Sequence, residues 1–187
     1  EVSSGRRIFE QQGMAEVKDL LSLVDTRVLE CLNQDDAHTI QHAIGQGTRE
    51  DDAVYLASDC DEQLLITVTF NQTVKVHSIS VKALDADKAP NQLKLFSNPI
   101  GLGFDSAESD PGTQVLDLTP EQVADGTVVP LRFVKFQAVN SLAIFIKGNF
   151  GDEEQTIVHK IQLYGCPVNT TNMGDWEKVA KKAKEES

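Results

Sequence analysis

The stretch from Ser58 to Gln72 constrains the fold most, because a dense acidic loop leads directly into an alternating apolar run. Large apolar residues occupy every second position of Leu64–Phe70, with leucine and threonine at the positions between them. A period of two is typical of a β-strand, whose successive side chains point to opposite faces of its sheet. We therefore expect a strand here, ended by a turn at Asn71-Gln72.

Several later segments show the same alternation. In Val74–Leu84 the parity of the apolar positions changes near His77 and Ser78, which predicts a β-bulge. Both faces of Leu142–Lys147 are mostly apolar, which indicates a central strand covered on both sides. The remaining predicted strands contain Leu93 and Leu95 or span residues 131–136, 141–147 and 157–164.

Helix signals are few and short. A first amphipathic helix is indicated by apolar residues at helical spacing, namely Val17, Leu20, Leu21 and Val24. In a second, Thr119 is the expected N-cap, Pro120 takes the first helical position, and Gln122 completes a capping box. Gly126 would end that helix after about two turns.

Many short strands, turn-rich joints and little helix predict an all-β protein. The expected architecture is an antiparallel β-sandwich with short peripheral helices. The chain has 187 residues, and a chain of this size buries about 70% of its unfolded surface. The predicted core includes Leu64, Ile66, Val68, Ile144, Ile146, Ile161 and Leu163.

The net charge of −12 narrows the choice of partners. Nucleic acid and anionic membranes both attract clustered lysine and arginine, so neither is expected as a partner. A transmembrane helix needs about 20 consecutive apolar residues, and no run in this sequence approaches that length. Residues 1–13 lack the apolar centre of a signal peptide. A basic protein surface fits this charge better, although acidity also serves solubility.

The cysteines argue against thiol catalysis. Cys31, Cys60 and Cys166 are odd in number and form no Cys-x-x-Cys pair. Reduced thiols in the cytosol or nucleus are the simplest expectation. Cys60 lies between two aspartates, and neighbouring negative charge raises the pKa of a thiol. Because no nucleophile elbow, P-loop or dinucleotide fingerprint occurs either, we expect a protein without catalytic residues or cofactor.

Two clusters could in principle bind metal. Asp59, Asp61 and Glu62 offer the hard oxygen ligands that calcium prefers, but a solvated loop or a protein-binding patch explains the same charges. His38 and His42 stand four residues apart, as zinc ligands on a helix can. Since no cysteine pair or metalloprotease pattern accompanies them, surface histidines and no metal site are expected.

An ordered set of segments resembles the PITH domain, the proteasome-interacting module of thioredoxin-like proteins. These segments are Glu30–Asn33, Ser58–Gln72, Leu131–Gln137, Asn140–Ile146, Tyr164-Gly165 and Thr171–Met173. The resemblance runs from about Val17 to Val179. It implies a jelly roll of the galactose-binding-like type, docking onto the proteasome regulatory particle, a cytoplasmic and nuclear location, and a possible upstream thioredoxin domain.

A carbohydrate- or calcium-binding sandwich is the alternative function. Sugar sites use exposed aromatic rings beside polar groups, whereas aromatic residues make up 6% of this chain and phenylalanine dominates them. The candidate partner-binding residues are Asp59, Asp61 and Glu62 in the acidic loop, and Asp175 and Trp176 in the tail. Trp176 would either anchor a partner or cover one end of its own sandwich.

Three parts of the chain are expected. Residues 1–13 form a linker or an expression remnant, residues 14–172 form the PITH sandwich, and residues 173–187 form a charged C-terminal tail. The tail carries few core-type residues, so it can dock on the domain, dock on a partner or fray.

Overall fold

A computed structural model describes residues 16–45 and 51–168. The strands are β1 Lys18–Asp19, β2 Glu30–Leu32, β3 Leu56–Ala57, β4 Leu64–Lys82, β5 Gln92–Ser97, β6 Gln114–Asp117, β7 Val128–Pro130, β8 Val139–Ile146, β9 Ile157–Val158 and β10 Lys160–Pro167. The helices are α1 Ile40–Ile44, α2 Phe104–Ser109 and α3 Pro120–Asp125. Within the described ranges no helix is long and apolar enough to cross a membrane.

Strand β4 belongs to both layers of the sandwich. Its first half pairs antiparallel with β2 and β8, and β8 pairs in turn with β5, which pairs with β6. Its second half pairs antiparallel with β10 and β7. The pairing with β8 shifts register between Thr69 and Val74, where the strand passes from one layer to the other. The predicted all-β antiparallel sandwich with short helices is therefore confirmed.

The core lies between these two layers. All seven predicted core residues are buried, at 0–4% exposure, in one cluster contributed by both layers. The prediction for β8 is also confirmed, because Leu142, Ile144 and Ile146 face this cluster while Ala143 and Phe145 join a second one on the outer face. The segment that contains Leu102 and α2 covers that outer face.

The predicted bulge in β4 lies at His77. Tyr164 pairs with Ser78, but the next residue of β10, Gly165, pairs with Val76, so His77 is the extra residue. The capped helix is confirmed as well: Thr119 Oγ1 accepts from the Gln122 amide at 3.3 Å, and Gly126 follows in the left-handed conformation at φ 65°. Only glycine adopts that conformation without a steric cost.

Three local predictions were wrong. The first segment forms β1 and a single 3-10 turn, Leu21–Leu23, because Leu20 and Val24 bond to strands of both layers. Asn71-Gln72 does not end β4, because the strand continues through these two exposed residues as it passes from one layer to the other. Residues 131–136 contain a 3-10 turn, Phe133–Lys135, which brings Leu131 and Phe136 into one core although their parity differs.

Candidate functional site

The acidic loop is held by one asparagine at the end of β2. Asn33 has a left-handed φ of 65°. Its side-chain amide donates to the Asp61 carboxylate at 2.7 Å and to the Gln63 carbonyl at 2.7 Å, while its Oδ1 accepts from the Cys60 amide at 3.0 Å. Asp61 Oδ1 also accepts from the Gln63 amide. The loop is thus a fixed structure, which presents Asp59 and Asp61 to solvent.

A buried polar network joins this loop to the loop after β8. Ser58 and Thr156 are both 0% exposed. Ser58 Oγ accepts from the Thr156 amide at 2.9 Å, and the Thr156 hydroxyl donates to the Glu62 carbonyl at 2.7 Å. Because buried polar groups are costly when unpaired, these bonds fix the two loops against each other.

The loop after β8, residues 147–156, is organised by Asn149. This side chain is 2% exposed. Its amide donates to the Glu153 and Gln155 carbonyls and to Thr156 Oγ1, and its Oδ1 accepts from the Glu153 amide at 2.8 Å. Both the donor and the acceptor atom of its side-chain amide bond within one loop, so Asn149 supports the shape of the site.

A cleft of about 690 Å³ is lined by the loop after β8, by Glu62 of the acidic loop and by residues at adjoining ends of β5 and β6. It is acidic, since its lining includes the carboxylates of Glu62, Asp117, Asp152, Glu153 and Glu154. Lys147 also lines it, but its ammonium pairs with Glu108 at 2.8 Å and lowers the pKa of that carboxyl. We call this cleft together with Asp59 and Asp61 the acidic end of the sandwich. Its charge suits lysine and arginine side chains of a partner.

The cysteines match the sequence expectation. Cys31 and Cys166 are buried and Cys60 is exposed. Burial raises the pKa of Cys31 to about 12, and the hydrogen bond to Asp59 raises the pKa of Cys60. Raised pKa values suppress the reactive thiolate, so neither thiol is activated.

Four rings form a cluster beside the acidic end. His38 stacks on Tyr55 with ring centroids 4.1 Å apart, His42 lies 6.5 Å from His38, and His159 lies 5.6 Å from Tyr55. His38 and His42 are half-buried. In the part of the chain that the structure describes, no group of three or more His, Cys, Asp or Glu could hold a metal ion.

His159 is expected to make stability depend on pH. Its Nδ1 accepts from the Leu84 amide at 3.2 Å. Burial lowers the pKa of the imidazole below its ordinary value of 6.5, and the positive charge of Lys82 also lowers it. The negative charges of Asp52 and Asp85 raise this pKa and offset part of the shift. Because the folded-state pKa is the lower one, this group's contribution to stability is complete above pH 6.5 and is lost as the pH falls below it.

Urea unfolding at pH 7.5 and pH 5.5 tests this expectation. The midpoint of the wild type should fall more between these two values than that of His159→Gln, which cannot titrate. Equal shifts in both proteins would show that His159 does not carry the effect.

The structure brings Asp59, Asp61 and Glu62 together at the acidic end, whereas Asp175 and Trp176 lie outside the described residues. Sequence reasoning missed Asn33, Asn149 and the partners of Ser58. A signal existed for Asn149, which stands in Gly148-Asn-Phe-Gly151 directly after an apolar strand. Asparagine between glycines is typical of a tight loop, but its burial depends on distant residues.

Comparisons with known proteins match most of this chain to one domain family. A family profile described as PITH domain matches residues 10–182. The chain is 41% identical over 184 residues to Thioredoxin-like protein 1 of Schizosaccharomyces pombe, covering 95% of this chain and 62% of that protein. It is 30% identical over 162 residues to PITH domain-containing protein 1 of Homo sapiens, covering 83% of this chain and 72% of the relative. No enzymatic family is indicated by these names.

Solved structures show the same fold at low identity. A family 32 carbohydrate-binding module from Clostridium perfringens NanJ, in complex with galactose, matches with a TM-score of 0.54 at 9% identity, covering 80% of this chain and 99% of that one. An F5/8 type C domain from Bacteroides fragilis matches with a TM-score of 0.55 at 12% identity, covering 84% of this chain and 100% of that one. The fold is therefore the jelly roll of galactose-binding-like domains.

Proposed function

Because the chain belongs to the PITH domain family, we propose that it is a non-enzymatic docking module that attaches a thioredoxin-like protein to the proteasome regulatory particle. The observation that carries the proposal is the 41% identity to a thioredoxin-like protein over 95% of this chain. The chain spans 62% of the length of that relative, which leaves room there for a further domain. Docking of this kind belongs in the cytosol and nucleus.

The acidic end is the surface proposed to meet the partner. Asp59 and Asp61 are exposed on a loop that Asn33 holds in place, and Glu62 lines the adjoining cleft. A fixed acidic surface attracts a basic one at long range and so raises the rate of association more than the final affinity. Asp175 and Trp176 remain proposed contacts of the tail.

A carbohydrate-binding function is the second candidate, since modules of this fold bind galactose and GalNAc. The cleft argues against it. Among the residues that the structure describes, Phe150 is the only aromatic one in its lining, and that ring is partly buried against the core. A sugar ring stacks on an exposed aromatic face, which this arrangement does not offer.

Binding kinetics on purified, immobilised proteasome regulatory particles test the docking proposal. The wild type should bind, and Asp59→Asn/Asp61→Asn/Glu62→Gln should associate about tenfold more slowly at low salt. The difference should shrink at 0.5 M salt, where charges about 4 Å or more apart are screened. Because Asp61 also accepts hydrogen bonds within its loop, a thermal melt must show that the variant stays folded.

A matched control removes three charges elsewhere. Asp105→Asn/Glu121→Gln/Asp125→Asn alters exposed carboxylates on α2 and α3 and should associate nearly as fast as the wild type. No binding by the wild type would contradict proteasome docking itself. Equal slowing by both triple variants would leave docking intact and exclude a specific contact at the acidic end.

A further inference from the structure

The opposite end of the sandwich presents two exposed apolar side chains. Among the large apolar residues that the structure describes, Ile100 and Val134 are the most exposed, at 99% and 80%. Single exposed apolar residues are common on protein surfaces. These two differ because each stands at the tip of a short segment whose backbone is fixed on both sides.

The loop that carries Ile100 is held by Asn98. This residue has a left-handed φ of 52° and Gly101 one of 60°. The Asn98 amide donates to the Ala138 carbonyl at 2.9 Å, and its Oδ1 accepts from the Asn140 amide at 2.7 Å. A left-handed asparagine is uncommon and costs free energy, so the conformation that exposes Ile100 depends on these side-chain bonds.

Val134 is held by its neighbours in the 3-10 turn Phe133–Lys135. Leu131 and Phe136 are buried on either side of the turn and anchor it to the core. Lys135 Nζ donates to the Thr113 carbonyl at 2.8 Å. The turn therefore points Val134 into solvent from a fixed base.

Shared hydrogen-bond partners place both tips at the same end. Thr113 bonds to Lys135 through its carbonyl and to the Ser97 amide through its hydroxyl, and Asn98 bonds to Ala138. This end lies at the start of β8, whereas the acidic end lies beyond its last residue. At about 3.3 Å per residue the two ends are about 23 Å apart.

The chain continues toward its C-terminus from this same end. The Val168 amide donates to the Thr73 carbonyl at 2.9 Å, and the Thr73 hydroxyl donates to Asn140 Oδ1 at 2.7 Å. Asn140 in turn bonds to Asn98. A partner seated on Ile100 would thus also lie near the backbone at Val168.

We propose that Ile100 and Val134 form a second docking surface, which inserts into an apolar pocket of the protein partner. Arg132 and Lys135 are exposed beside Val134 in a chain of net charge −12, so carboxylates are the complementary groups for the rim of that pocket. A fixed loop loses little conformational entropy on binding. The inference rests on the proposed docking to the proteasome regulatory particle and assigns it a surface distinct from the acidic end.

The test compares Ile100→Ser/Val134→Ser with the wild type on purified regulatory particles. Removing both apolar tips without adding charge should weaken equilibrium binding at least tenfold and mainly accelerate dissociation. The melting temperature and the monomeric mass in light scattering should not change, because both side chains are exposed in the isolated chain. Ile100→Leu should retain binding, and Val128→Ser, at an exposed valine of β7, serves as the control.

Each other outcome overturns the inference in a distinguishable way. Binding by the double variant equal to that of the wild type would exclude this surface while leaving the proposed function intact. A lower melting temperature would identify a segment of the chain itself as the occupant, and a wild-type dimer that the variant loses would identify a second copy. Failure of the wild type to bind would overturn both this inference and the proposed function.

Discussion

Replacing Gly165 with alanine is expected to lower the free energy of unfolding by about 3 kcal/mol. A Cβ at this position would overlap the carbonyl oxygen of Lys75 and lie 2.9 Å from its carbonyl carbon and 3.2 Å from Leu20 Cδ1. The obstacle is backbone within the β4–β10 ladder, so no flexible side chain can turn aside. For a domain of this size the melting temperature should fall by about 6–12 °C.

Gly148→Ala is the matched control. The nearest heavy atom to a Cβ there is Glu62 Cγ at 3.9 Å, which is an ordinary contact. Its melting temperature should stay close to that of the wild type or rise slightly, because alanine restricts the unfolded chain. Similar losses in both variants would show that the close approach at Gly165 is not what requires glycine.

Local patterns predicted the parts of the fold that local physics decides. The parity change around His77 located a real bulge, because alternation reports directly which face each side chain takes. Thr119, Gln122 and Gly126 located α3 because each satisfies or ends a helix terminus through neighbours a few residues away. Family resemblance supplied the jelly-roll topology, which the alternation alone did not determine.

Tertiary contacts overrode local pattern elsewhere. The apolar spacing of residues 17–24 matched a helix, but Leu20 and Val24 bond to β10 and β4 instead. In residues 131–136 the alternation indicated a strand, whereas Leu131 and Phe136 reach one core only through a 3-10 turn. In both cases the local structure is decided by contacts between residues far apart in sequence, which the spacing of apolar residues along the chain cannot predict.

The candidate site was predictable only in its charges. Asp59, Asp61 and Glu62 are visible as a cluster in sequence, but the carboxylates that complete the cleft come from β6 and from the loop after β8. The polar residues that join these loops, Ser58 and Thr156, are 98 positions apart. Whether such residues are buried and paired depends on the folded topology.

Asn149→Ala should produce the second large loss, about 3 kcal/mol in the free energy of unfolding. The substitution removes a side chain that is 2% exposed and leaves the Glu153 amide and the Glu153 and Gln155 carbonyls without their partner. The loop that forms one wall of the cleft would then lose its internal support. Urea denaturation measures the loss, and hydrogen exchange should show faster exchange at the Glu153 amide.

Asn140→Ala provides the comparison, because this exposed asparagine accepts one side-chain hydrogen bond from Thr73 at 2.7 Å. Water can replace that bond at the surface, so a change within about 0.5 kcal/mol is expected. If Asn149→Ala lowered the free energy of unfolding no more than Asn140→Ala does, the buried amide network would not be what fixes the cleft. If the loss is large, slower association of Asn149→Ala with the regulatory particle at low salt, measured on folded protein, would connect the shape of the acidic end to docking.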